Sequence, residues 1–165
     1  MGWMRGLALF VAGIAVGTVV MQSSAAQQNT NTGLRLQHVG IAVKDIQASV
    51  DYFTKVMGFR VAFRFPSPDG RPSTTYLQIS RDTFLEVGQA GENATPGITH
   101  MGIVTADQKA TITRIRQAGG MVTDSRPSAN TSSNLANVTD PSGIRLELVE
   151  YTPDSLHKKA EDSWR

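Results

Sequence analysis

Two stretches of this chain repeat one strand-like sequence. The first reads Leu36-Gln37-His38-Val39-Gly40-Ile41, and the second reads Ile98-Thr99-His100-Met101-Gly102-Ile103. In both, a histidine is followed two positions later by glycine and then directly by isoleucine. A sequence that repeats at this distance predicts two copies of one supersecondary unit, and the fold follows from that pair.

Two glutamates repeat in step with the histidines. Glu86, in Phe84-Leu85-Glu86-Val87, returns as Glu147 in Leu146-Glu147-Leu148-Val149. The histidines are separated by 62 residues and the glutamates by 61. A repeat of apolar residues alone would indicate only a fold. Because this one carries imidazole and carboxylate groups in register, it also indicates a site.

The segments between these residues repeat as well. Asp45 and Asp107 are predicted to cap helices that end near Gly58 and Gly119. The apolar residues at helical spacing are Ile46, Val50, Phe53 and Val56, and then Ala110, Ile112, Ile115 and Ala118. The further predicted strands are 59–65, 75–79 and 83–87 in the first unit, and 121–123, 135–138 and 144–149 in the second. Each unit is therefore a βαβββ module, and since about 60 residues bury little core, both modules should form one α+β domain.

The first 26 residues differ in composition from the rest. Arg5 is their only charged residue, residues 6–21 are an unbroken run of apolar and small residues, and Ser24-Ala25-Ala26 offers the small side chains at which a signal peptidase cleaves. We therefore predict a secretory signal peptide cleaved after Ala26, and a secreted or periplasmic protein. The alternative is an uncleaved membrane anchor, the one case in which the protein would contact a membrane.

The predicted organisation follows from these boundaries. It comprises a signal peptide (1–26), a flexible tether (27–33), one domain (34–151) with modules 34–92 and 96–151, and a helical tail (152–165).

Composition excludes several classes of function. Sixteen basic residues against 14 acidic ones give no electrostatic case for nucleic acid. The chain has no cysteine, so that neither a disulfide nor a thiolate nucleophile or metal ligand is available.

The four repeated polar residues are candidate metal ligands. Each histidine shares a strand face with small residues, and the neighbours of each glutamate point the other way, so that all four should face one side of the strands. A buried, unpaired carboxylate is costly, and a divalent cation would compensate it. His38, Glu86, His100 and Glu147 suit one divalent metal, namely Zn, Ni, Co, Mn or Fe.

Paired βαβββ modules with these residues resemble the vicinal oxygen chelate (VOC) superfamily. That superfamily includes glyoxalase I, methylmalonyl-CoA epimerase, extradiol dioxygenases, and fosfomycin and bleomycin resistance proteins. The resemblance covers about residues 34–151, and residues 140–148 are similar to its most recognisable stretch. It implies a half-open, eight-stranded, barrel-like cup around one metal, with His38, Glu86, His100 and Glu147 at the four ligand positions.

The resemblance also implies a reaction. Glutamate at position 86 resembles glyoxalase I, whereas the epimerase has glutamine there and the oxygenases use only two histidines and one glutamate. This favours an exported, lactoylglutathione lyase-like isomerase or lyase that acts through a metal-chelated enediolate of a small substrate with vicinal oxygens. Glu147 would be the catalytic base and Glu86 its symmetry mate. The alternatives are a ligand-sequestering binding module, a dioxygenase or an epimerase.

Further expectations concern the cup wall and the tail. Arg64, Tyr76, Gln78 and Asn137 lie on strands that could line the cup, while His157 is predicted to be solvated. The tail, with Leu156, Ala160 and Trp164 on one stripe, packs either on its own domain or on a second subunit, because proteins of this family commonly form homodimers. The sequence leaves open the substrate, the metal, the use of glutathione and any sharing of ligands across a dimer.

Overall fold

One mixed, open sheet of nine strands, accompanied by three helices, makes up the described part of the chain. The structure is a computed structural model and describes residues 33–66 and 72–165; the predicted signal peptide and nearly all of the tether lie outside these ranges. The elements are β1 (Arg35–Val43), α1 (Ile46–Lys55), β2 (Arg60–Pro66), β3 (Pro72–Ser80), β4 (Thr83–Gln89), β5 (Gly97–Val104), α2 (Gln108–Gln117), β6 (Met121–Val122), β7 (Arg126–Pro127), β8 (Asn134–Thr139), β9 (Arg145–Glu150) and α3 (Leu156–Asp162).

The strand order repeats the internal duplication. Along the sheet it is β2-β3-β4-β1-β5-β9-β8-β6, and β7 pairs with β8 beside β6. In each module the first strand pairs in parallel with the last, as β1 with β4 and β5 with β9. The two first strands, β1 and β5, pair antiparallel and join the modules. The predicted α+β class and the open sheet are thus confirmed.

The second module differs from the prediction at its second strand. Instead of one strand over 121–123, two short strands pair with β8, through Met121 opposite Thr139 and Arg126 opposite Leu135. This segment lacks the apolar alternation of residues 59–65, and Pro127 cannot donate a ladder hydrogen bond. The described sheet therefore has nine strands, one more than the eight of the predicted cup.

Both module helices pack on one face of the sheet. Their caps form as predicted, because a side-chain oxygen of Asp45 accepts from the Ala48 amide at 2.9 Å and that of Asp107 accepts from the Ala110 amide at 2.8 Å. The helices bury Ile46, Val50 and Ile112 against alternate strand residues; those residues are Leu77, Leu85 and Val87 in the first module, and Ala136 and Leu148 in the second. The intervening residues, which include Glu86 and Glu147, face the other side.

The C-terminal helix α3 packs on its own domain. Its Ala160 lies in a buried cluster with Tyr76 and Phe84, on the side of the sheet opposite α1. His157 is only 1% exposed, so the prediction of a solvated residue is wrong. The position of His157 outside the repeat predicted a solvated side chain, but α3 turns this side chain inward among aromatic rings. In the residues that the structure describes, no helix is long and apolar enough to cross a membrane.

Candidate metal centre and its cavity

The repeated His-x-Gly sequence places two imidazoles next to each other, with their ring planes nearly perpendicular. In the pairing of β1 with β5, His38 lies opposite Gly102, and Gly40 lies opposite His100. A Cβ atom on Gly102 would lie 2.0 Å from the His38 ring, and one on Gly40 would lie 2.2 Å from the His100 ring. Each glycine therefore provides the space that the opposite histidine ring occupies.

Sheet register brings the glutamates beside these histidines. Two rows of aligned residues cross the strands: Tyr76, Glu86, Gly40 and His100 in one, and Asn137, Glu147, Gly102 and His38 in the other. Corresponding residues of the two modules therefore occupy corresponding positions in the sheet.

Three of the four predicted ligands form a close group. The Nε2 atoms of His38 and His100 are 3.0 Å apart, and Glu86 Oε2 lies 3.4 Å from the first and 3.3 Å from the second. One donor atom from each of the three residues lies within 4.8 Å of the others. Two imidazoles and a carboxylate are ligands that zinc and other divalent transition metals prefer, so this donor set fits such a cation.

Glu147 lies at the edge of the group. Its Oε2 is 3.8 Å from His38 Nε2, and its Oε1 accepts from Arg145 Nη1 at 3.4 Å. Arg145 also donates to the Asn137 side chain at 3.1 Å. Glu86, in contrast, accepts a short hydrogen bond of 2.7 Å from the Tyr76 hydroxyl. The assignment of all four residues as metal ligands stays a prediction, but their side chains meet at one place.

Burial and charge separate the two carboxyl groups. Burial acts to raise the pKa of Glu86, but hydrogen bonds with His100 and Tyr76 and the nearby histidines lower this pKa to about 2. Burial raises the pKa of Glu147, the charge of Glu86 adds to the rise, and His100 and Arg145 oppose it. Burial also lowers the pKa of His38 to about 4, so this imidazole is neutral at pH 7.

The group opens into a cavity of about 210 Å³. Its wall carries the apolar side chains Phe65, Leu135 and Val149 and the polar or cationic side chains Arg126, Ser128, Asn130 and Arg145. Mixed apolar and polar lining of this kind is typical of a small-molecule site.

Of the four residues predicted to line the cup, two contact the site and two do not. Tyr76 and Asn137 contact the site through Glu86 and Arg145, respectively. Gln78 is buried but donates to the main-chain oxygens of Arg81 and Ala160, and Arg64 is exposed, so neither belongs to the site. His157 lines the cavity and was missed, since only tertiary packing of the tail brings it there.

Comparison with known proteins agrees with this geometry. Residues 35–148 match the family model described as the Glyoxalase/Bleomycin resistance protein/Dioxygenase superfamily. The chain belongs to this superfamily. The chain is 27% identical to the lactoylglutathione lyase of Shigella flexneri over 125 residues, which cover 71% of this chain and 93% of that enzyme. It is 23% identical to the lactoylglutathione lyase of Neisseria meningitidis serogroup B, over 71% of this chain and 91% of that protein.

Solved structures share the glyoxalase-superfamily fold. Methylmalonyl-CoA epimerase from Mycobacterium tuberculosis superposes with a TM-score of 0.59 at 22% identity, over 72% of this chain and 88% of that one. A variant of the Streptomyces coelicolor methylmalonyl-CoA epimerase, in complex with 2-nitronate-propionyl-CoA, gives a TM-score of 0.61 at 23% identity, over 73% and 96% of the two chains. At such identities the likeness shows the fold alone.

Proposed function

We propose that this protein is a divalent-metal-dependent isomerase or lyase acting on a small molecule with two adjacent oxygen atoms. The observation that carries the proposal is the convergence of His38, Glu86 and His100 donor atoms at a cavity in a glyoxalase-superfamily fold. The relatives named lactoylglutathione lyases make 2-oxo aldehyde adducts of thiols the first substrates to assay.

His38, Glu86 and His100 would hold the cation, with Glu147 as the fourth ligand. When bound, a divalent cation polarises adjacent substrate oxygens and thereby acidifies the carbon-bound proton between them. The protein must then supply a base within reach of that proton. Two carboxylates border the cavity, and their surroundings differ.

Glu147 is the better placed base. Its shortest contact, 3.4 Å from Arg145, is longer than the shortest contact of Glu86, which is 2.7 Å from the Tyr76 hydroxyl. Glu147 can therefore move to accept a proton at Oε2 while Arg145 holds its Oε1. Glu86, tied by the Tyr76 hydroxyl, remains an ionised ligand. Environments that drive the pKa values of two carboxyl groups apart commonly separate such roles.

Deuterium exchange tests this proposal without requiring the physiological substrate. Metal-loaded protein in deuterated water should exchange the carbon-bound proton of 2-hydroxy ketones or of thiol adducts of 2-oxo aldehydes. Protein from which a chelator has removed the metal should not exchange this proton, and re-addition of Zn, Ni, Co, Mn or Fe(II) should restore the exchange. Metal uptake without exchange in any compound of the panel would contradict the enzyme assignment and favour a binding module.

We also propose that the protein is exported and loses residues 1–26. The support is the apolar composition of residues 6–21 and the small residues before position 27. Mass spectrometry of the expressed protein should find an N-terminus at Gln27. A retained Met1 would contradict cleavage.

A homodimer remains a further proposal, supported by the tendency of the superfamily to dimerise. Sedimentation velocity should then show twice the protomer mass for the mature chain. A species of protomer mass at all tested concentrations would contradict the dimer.

A further inference from the structure

A chain of hydrogen bonds joins helix α3 to His38. The Tyr151 hydroxyl donates to Glu161 Oε1 at 2.7 Å, and its oxygen accepts from Gln37 Nε2 at 3.0 Å. The side-chain oxygen of Gln37 is in hydrogen-bond contact with His38 Nδ1. We propose that Glu161 is a positioning residue that fixes, through Tyr151 and Gln37, the His38 tautomer whose Nε2 lone pair faces Glu86 and His100. Its consequence for metal binding rests on the proposed function.

The direction of the chain is set at its far end. An ionised carboxylate only accepts hydrogen bonds, so Tyr151 must give its single proton to Glu161. Towards Gln37 the Tyr151 oxygen can then only accept, and the Gln37 amide group must turn its NH₂ to Tyr151. The Gln37 oxygen is thereby left to face His38, whose Nδ1 must carry the proton. His38 Nε2 is consequently unprotonated, as a metal ligand has to be.

A strand irregularity makes this contact possible. The pairing of β1 with β5 shifts register between Leu36 and His38. Gln37 and His38, although consecutive, are therefore both fully buried, whereas a regular strand would point them to opposite faces. Such a bulge redirects one side chain towards a site, and here it supplies the acceptor for His38 Nδ1.

The charge at Glu161 has a partner. Its side chain is 13% exposed and lies 3.8 Å from Arg35 Nη2, while Arg35 Nη1 donates to Asp82 at 2.9 Å. Burial, together with the hydrogen bond to Glu161, raises the pKa of Tyr151, so that its proton stays in place at neutral pH.

The other module has no equivalent chain at His100 among the described contacts. There Nδ1 contacts the Thr99 hydroxyl at 2.9 Å, and a hydroxyl can either donate or accept. The tautomer of His100 is therefore not set by this neighbour. The tail thus gives one of two otherwise similar histidines a fixed lone pair.

Nitrogen NMR of the metal-free protein tests the proposal directly. Long-range proton–nitrogen correlation should show His38 with a protonated Nδ1 and an unprotonated Nε2. Glu161→Gln places a group that can both donate and accept at the end of the chain, and Tyr151→Phe removes the middle link. Both should raise the fraction of His38 protonated at Nε2. Asp162→Asn is the control, because it removes a carboxylate of the same helix that pairs only with Lys158 among the described contacts. It should leave the His38 tautomer unchanged.

Metal affinity provides the second readout. Chelator competition with Zn²⁺ should give a dissociation constant about 10–100-fold weaker for Glu161→Gln and Tyr151→Phe than for wild type or Asp162→Asn, the usual effect of losing the group that orients a ligand. Adding Gln37→Glu to Tyr151→Phe places an acceptor-only carboxylate beside His38 Nδ1. That double variant should regain the original tautomer, which a merely structural role for Tyr151 would not give.

The outcomes separate this proposal from the proposed function. A wild-type His38 protonated at Nε2, or a tautomer unchanged in both Glu161→Gln and Tyr151→Phe, overturns the positioning role whatever the protein catalyses. A tautomer that shifts as expected supports it even if the protein turns over no substrate.

Discussion

At the scale of single residues, the site depends on pairs that the sequence repeats but does not place in space. The equivalence of Glu86 and Glu147 in the repeat is lost in the structure, because Tyr76 donates to Glu86 and Arg145 donates to Glu147. In the proposed mechanism, the Tyr76 hydrogen bond helps to keep Glu86 ionised, whereas burial raises the pKa of Glu147, the carboxyl group proposed to exchange a proton.

Replacement of Glu147 by glutamine separates the role of ligand from that of base. The amide retains the shape and one coordinating oxygen but cannot accept a proton. Metal content should be partly retained, while the exchange rate falls by about 10²–10⁴, the usual contribution of a positioned base. Glu86→Gln should lower metal affinity more and slow exchange less at equal metal loading. If Glu147→Gln exchanges as fast as wild type, the base is another residue.

Gly102 tests the close approach of β5 to His38. Gly102→Ala would place a methyl group 2.0 Å from the ring, so His38 must move and metal affinity should fall by at least about tenfold. Gly88→Ala is the matched control, since its Cβ would meet only the Ile41 carbonyl oxygen at 3.7 Å. Isothermal titration with Zn²⁺ compares the two. Equal affinities would show that the His38 position is not restricted in this way.

At the scale of elements, short sequence patterns predicted the helix caps and strands that depend mainly on neighbouring residues. Asp45 and Asp107 cap their helices through their own side chains, and the alternation of residues 59–65 and 83–87 gives strands close to the observed ones. The divided second strand of module two was not predicted, because its pairing depends on β8 across the sheet.

The caps should affect stability without affecting the site. Asp107→Ala removes the bond to the Ala110 amide and should lower the free energy of unfolding by about 1 kcal/mol. Zn²⁺ affinity should not change, because α2 lies on the face of the sheet opposite the histidines. Urea unfolding and chelator competition measure both quantities. A large loss of affinity would mean that α2 contributes to the site.

Helix α3 shows where sequence reasoning is weakest. Its amphipathic stripe correctly predicts a helix, but the inward turn of His157 and the bond between Glu161 and Tyr151 arise only when the helix packs on the sheet. The hydrogen-bond chain to His38 could not be predicted, because Gln37 lies 114 residues from Tyr151 and none of its members belongs to a motif. The four repeated residues could be predicted because the duplication marks them.

At the scale of the whole molecule, buried neutral histidines make stability depend on pH. Burial lowers the pKa of His38 to about 4 and that of His157 to about 3. Neither ring nitrogen of His157 has a hydrogen-bond partner among the described residues. The unfolded chain binds protons at these residues below its ordinary pKa of about 6.5, while the folded chain does not. Stability conferred by the neutral rings is therefore fully present above pH 6.5 and is lost as pH falls towards 4 and 3.

Metal-free protein should accordingly lose up to about 1.4 kcal/mol of stability per pH unit for each of these histidines below pH 6.5. His157→Leu fills a similar volume with an apolar group and should reduce this slope. Urea unfolding between pH 4 and 7 measures it. An unchanged slope would mean that His157 does not stay neutral in the folded protein.

The central claim, that His38, Glu86 and His100 hold one divalent cation, is tested most directly by counting bound metal. Protein is purified without added metal, dialysed against Zn²⁺ and analysed by elemental mass spectrometry. It should contain one ion per chain. His38→Ala and His100→Ala should each lose most of that ion, because each removes a donor atom. Since both rings are buried, circular dichroism must show that each variant is folded. Full retention of the ion by both folded variants, or none in the wild type with any of Zn, Ni, Co, Mn or Fe, would contradict the account.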